Sequence, residues 1–116
     1  MFINFTNHPS SKWSEEQLRA ARCFGELVDM PFPLIAPNAT TDEIIKLAEH
    51  KVDEIKTKYT NPIVHVMGEM TFTYHVVSLL KVLGITCVAS TTMRDPIIAP
   101  DGTEIPHFKF VQFREY

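Results

Sequence analysis

The sequence is short of cysteine and glycine and carries no excess of basic charge. Two cysteines stand among its 116 residues, Cys23 and Cys87. Neither forms a Cys-x-x-Cys pair or joins histidines at metal-ligand spacing, so a disulfide scaffold and a zinc module are both excluded. They read as structural thiols of a reducing compartment, and the chain is expected in the cytoplasm. The four glycines form no dinucleotide fingerprint and no P-loop. His-x-x-x-His, His-Glu-x-x-His and Gly-x-Ser-x-Gly are missing as well, so neither a metal site nor a Ser-His-Asp triad is expected. Eleven Lys and Arg face fourteen Asp and Glu, a net charge of −3. That balance provides no field for holding duplex DNA or an anionic membrane surface. No apolar run approaches the length of a membrane span. Met1 to Phe5 lacks the basic flank and apolar stretch of a signal peptide.

What is present is a core. Hydrophobic residues make up 45% of the chain, and a chain of this length supports one domain, residues 1–116. Phe2, Ile3 and Phe5 mark a strand over residues 1–6, followed by the polar loop from Asn7 to Lys12. Ser14, with Gln17 three residues on and Trp13 and Leu18 at the staple positions, starts a helix that Gly25 ends. A weaker strand follows over 26–30, and Pro31, Pro33 and Pro37 force an extended segment. Thr40 and Glu43 cap a helix over 41–59 whose apolar stripe is Ile44, Ile45, Ala48, Val52 and Ile55. Residues 63–67 read as a buried strand, 72–83 as a helix and 85–89 as another buried strand. Pro100-Asp101-Gly102 is a turn, and Phe108 to Phe113 a last strand. Helices alternating with short apolar strands predict an α/β fold: a three-layer, Rossmann-like sandwich with a mostly parallel sheet and helices on both faces.

Ligands of such sheets sit beyond the carboxyl ends of the strands. Three polar segments are expected there: Asn7 to Lys12, Gly68 to Thr73 and Ser90 to Arg94. They gather His8, Ser10, Ser11, Glu69, Met70, Thr71, Thr91 and Thr92, a set rich in hydroxyls and helix-start amides that suits a phosphate-bearing ligand. Arg94 can clamp phosphate bidentately, and reads equally as one half of a surface ion pair. Glu69 fits an ordinary helix start or a ribose contact. His8, at the rim after the first strand, can serve as acid, base or phosphate donor. His65 alternates within a buried strand and reads as a satisfied core residue.

Four segments carry a resemblance. Asn4-Phe5-Thr6-Asn7-His8-Pro9, Val66-Met67-Gly68-Glu69-Met70-Thr71-Phe72, Ala89-Ser90-Thr91-Thr92-Met93-Arg94 and Phe110-Val111-Gln112-Phe113-Arg114-Glu115-Tyr116 resemble, in order and spacing, the small CRISPR-associated proteins related to CARF domains. Several of those are ring nucleases. Here Asn7 intervenes before His8, and Glu69 stands at the acidic position. The resemblance implies a homodimer or higher assembly that binds a cyclic oligoadenylate, foremost cyclic tetra-adenylate, and cuts it without a metal to switch off type III CRISPR signalling. It implies His8, Ser11 and Arg94 as catalytic residues. Asn7, Ser10, Gly68, Glu69, Met70, Thr71, Thr91 and Thr92 would bind the ring, with no cofactor. A non-catalytic sensor of the same fold is the alternative.

Overall fold

Side-chain caps set where the helices begin. In the computed structural model, which describes residues 1–116, the Gln17 amide donates to Ser14 Oγ and opens α1 (Glu15–Arg22). The reciprocal box forms in full at Thr40 and Glu43, ahead of α2 (Thr41–Lys58). α3 (Met70–Val82) starts earlier than its apolar pattern suggests, because the Phe72 amide donates to the Glu69 carboxylate at 2.8 Å and the first turn closes on that cap. Beyond α3, Gly84 takes φ +75°, a conformation that side chains disfavour.

β1 (Phe2–Thr6), β2 (Leu27–Asp29), β3 (Ile63–Met67), β4 (Thr86–Arg94) and a C-terminal strand (Phe108–Glu115) share one sheet. Between β4 and the last strand lies a small hairpin of β5 (Ile97–Ile98) and β6 (Glu104–Ile105), so the last strand is β7. The sheet order is β2-β1-β3-β4-β7, with β1 to β4 parallel and β7 antiparallel along β4. The chain is thus α/β, a single domain on a mostly parallel sheet.

One expectation is corrected here. Ser90 to Arg94 is not a loop after β4 but its second half. Ser90 pairs with Phe113, Thr92 with Phe110 and Arg94 with Phe108. The hydroxyl-rich stretch stays extended because β7 supplies a ladder partner for every residue along it, with a bulge between Thr91 and Thr92.

Alternation along the strands divides the core. Ile3, Phe5, Val64 and Val66 pack with Ala48, Val52 and Ile55 of α2 and with Phe72, Val76 and Leu80 of α3. Phe2 and Val88 pack instead with Ala21 of α1, alongside Trp13 and Phe113. Burying each large apolar side chain contributes about 1.5–3 kcal/mol. No helix is long and apolar enough to cross a membrane. β2 lies on one side of β1 and β3 on the other, so the carboxyl ends of β1 and β3 flank the point where strand order reverses.

Candidate functional site

A groove of about 870 Å³ opens at that point, within the size range of small-molecule sites. Thr6 ends β1 with Asn7 and His8 just beyond it, and Met67 ends β3 with Gly68 just beyond; all five line the groove. Lys12 and Trp13 close it from the α1 side, Ser90 and Thr92 from β4, and His107, Phe108, Lys109 and Phe110 from the start of β7. Met67 is fixed in turn by Ser90, whose amide and Oγ donate to its thioether sulfur at 3.3 and 3.1 Å.

The best-anchored point of the rim is the backbone of His8. Its carbonyl accepts from Asn4 Nδ2 at 2.8 Å and Trp13 Nε1 at 3.2 Å, and lies 3.1 Å from Thr6 Oγ1, whose one proton goes to Asn4 Oδ1 at 2.8 Å. Its amide donates to Thr6 Oγ1. Asn4, 1% exposed, also donates to Asp29 Oδ1, and the other Asp29 oxygen accepts from Ser10 Oγ. The loop after β1 is therefore tied to β1 and β2 by a buried amide, Asn4, and an exposed carboxylate, Asp29, while the His8 imidazole stands free at the surface of the groove.

His65 lies on the groove side of β3, 2% exposed, and neither ring nitrogen has a hydrogen-bond partner. The sequence pattern suggested a satisfied core histidine; the side chain is core, but unsatisfied. Phe113 meets the imidazole edge-on at 5.0 Å and Trp13 at 5.5 Å. Burial, aided by the nearby His8, pushes its pKa down to about 4, so the ring is neutral at neutral pH. Leaving a buried polar group unpaired costs about 1–3 kcal/mol.

Of the residues expected at the site, the structure gathers His8, Asn7, Gly68 and Thr92 in the groove. Ser10 and Ser11 line a separate shallow hollow with Arg22 and Glu26. Glu69 caps α3 and accepts from Thr71 Oγ1, and these bonds hold its carboxyl below the usual carboxylate range. Met70 beside them is 84% exposed. Thr91 Oγ1 donates to the Gln112 carbonyl and accepts from its amide, both at 3.2 Å. Arg94 reaches Glu104 at 3.9 Å, an exposed ion pair. Glu69, Met70, Thr71, Thr91 and Arg94 do not line the groove. Conversely, Trp13, His65, His107, Lys109 and Phe110 line it without having been expected there. His107 and Lys109 sit about a hundred residues from His8, and only the antiparallel pairing of β4 with β7 brings them near.

The family model of the uncharacterized protein MJ1673 family matches residues 1–114. The chain belongs to that family. No curated protein and no solved structure matches it. In this MJ1673-family chain the groove carries Lys12 and Lys109 against Glu16 and Asp95, so its charge is balanced and a bound anion would rely on individual lysines. No three His, Cys, Asp or Glu side chains gather closely enough to hold a metal ion. The chemistry on offer is proton transfer by His8 or His107, charge pairing by lysine, and aromatic packing by Trp13, Phe108 and Phe110.

Proposed function

We propose that this groove binds a phosphate-bearing nucleotide ligand and that the ligand is a cyclic oligoadenylate, with cyclic tetra-adenylate foremost. The observation that carries this reading is the anchoring of the His8 carbonyl by the Asn4 amide and the Trp13 indole, which holds a free imidazole where strand order reverses. Supporting it are two lysines and three aromatic side chains in the same groove, the partners that phosphates and bases need. Helix α1 beside Phe2 and Val88, with α2 and α3 on the Ile3 and Phe5 side, supports a Rossmann-like, three-layer reading of the fold. A symmetric ring is naturally held by a symmetric pair of grooves, so the assembly is a homodimer.

The reaction is a metal-independent transesterification. A ribose 2′-oxygen attacks its adjacent phosphorus and the 5′-oxygen leaves, giving a 2′,3′-cyclic phosphate and a 5′-hydroxyl; no water is consumed. His8 takes the 2′-proton and His107 supplies one to the leaving oxygen. Lys12 and Lys109 offset charge on the phosphoryl oxygens. Ser11 and Arg94, expected to share this work, lie off the groove, and their part passes to the lysines. In its cellular setting such cleavage would switch off type III CRISPR signalling.

Incubating the protein with cyclic tetra-adenylate in EDTA and resolving the products by chromatography tests this. Ends bearing 2′,3′-cyclic phosphate are expected. His8→Ala should slow cleavage by about 10²–10⁴-fold, the usual contribution of a general acid–base group, with affinity little changed. Arg94→Ala should alter neither. The dispersal of His8, Ser11 and Arg94 favours a second reading, a non-catalytic sensor. An intact ring that raises the melting temperature would establish that reading, and neither cleavage nor a shift would sink both.

A further inference from the structure

His65 is the one groove-lining side chain whose buried polar atoms lack partners. A neutral imidazole holds one N–H donor and one acceptor, and here both are unused. The ring is flanked by aromatic surface: Trp13 at 5.5 Å, Phe113 at 5.0 Å, and Phe110 a further 5.0 Å from Phe113. Trp13 and Phe110 also line the groove. The Trp13 indole makes one hydrogen bond, from Nε1 to the His8 carbonyl at 3.2 Å. That carbonyl keeps the Asn4 amide donor, at 2.8 Å, when the indole leaves. Trp13 can therefore turn aside without stranding the group it bonds.

An unused donor and acceptor beside aromatic rings match a flat heterocycle, which packs on the rings and hydrogen-bonds along its edge. A phosphate alone could use neither feature, and Lys12 and Lys109 already serve phosphate at the rim. We propose that His65, Trp13 and Phe110 form a nucleobase subsite in the floor of the groove, and that Trp13 swings off the imidazole when a base docks. This rests on the nucleotide reading above and adds which atoms read the base.

Trp13 is the chain's one tryptophan, so its fluorescence reports the subsite directly. Adenosine 5′-monophosphate should change that emission, whereas ribose 5-phosphate, with the same phosphate but no base, should leave it unaltered. An equal response to both, or a response to neither, overturns the subsite. Calorimetry on His65→Phe provides the second arm. The variant should bind cyclic tetra-adenylate about tenfold or more weakly, the loss expected for one base-edge hydrogen-bond pair. It should keep the parent's affinity for ribose 5-phosphate and melt no lower than the parent. His65→Gln, which retains a donor and an acceptor, should recover part of the loss. Equal binding of cyclic tetra-adenylate by parent and His65→Phe removes the subsite alone. No binding of that ring by the parent removes the nucleotide reading as well.

Discussion

Two residues show how little room the groove leaves for substitution. Gly68 stands between β3 and α3, yet its backbone takes no positive φ. What requires glycine is Phe32: a Cβ on Gly68 would overlap its ring. That ring cannot retreat easily, since it packs against Phe5 at 5.3 Å and Phe72 at 5.2 Å. Gly68→Ala should therefore destabilise the fold by about 1–3 kcal/mol, the usual cost of overpacking. Phe32→Leu in the same chain should return part of it. Urea unfolding of the two single variants and the double variant measures the coupling, and strictly additive effects would disconnect the two residues. Asn4 is the other case. The sequence shows it only as a polar break among Phe2, Ile3 and Phe5, although its side chain joins β1, the His8 carbonyl and Asp29. Asp29 is twenty-five residues away, so no local pattern could reveal the link.

At the scale of elements, the sequence was informative wherever a signal is local. Ser14 and Thr40 announced α1 and α2 because a capping hydroxyl acts within one turn. Thr40→Ala should cost about 1 kcal/mol of stability in urea unfolding. Because Glu43 returns the bond to the Thr40 amide, adding Glu43→Ala should cost less in that background than in the parent; equal costs would show the two halves of the box to be independent. Where pairing is non-local, the reading stopped short. The second half of β4 carries Ser90, Thr91, Thr92 and Arg94, a composition as fitting for a ligand loop as for a strand. β7 decides between them, and it lies beyond an intervening hairpin. That one pairing moved Thr91 and Arg94 away from the site and brought His107, Lys109 and Phe110 into it.

At the scale of the whole molecule, the radius of gyration is 16.0 Å, against about 13 Å for a compact domain of this length. No residue from 91 to 109 is buried, so the excess lies with the outer part of β4 and the β5–β6 hairpin, and the core that holds the fold is confined to the remainder. His65 sits in that core, which makes global stability depend on pH. Its folded pKa, about 4, lies below the 6.5 of an unperturbed histidine. Between those values the unfolded chain binds a proton that the native chain refuses, so stability falls as pH drops from about 6.5 towards 4, and this group adds no further loss below that. The shift corresponds to about 3 kcal/mol, at roughly 1.4 kcal/mol per pK unit. Glu69 and Asp101, whose carboxyls are held low by hydrogen bonds from Thr71, Phe72 and Thr103, act in the same direction but only at the acid end, below the ordinary carboxylate range. The interval from pH 6.5 to 5 therefore isolates His65 from them. Urea unfolding across that interval should show the parent losing stability while His65→Phe loses less, and the difference between the two profiles should grow steadily as pH falls. Parallel profiles would mean that His65 accepts its proton as readily in the folded chain as in the unfolded one, and that the ring is open to water after all.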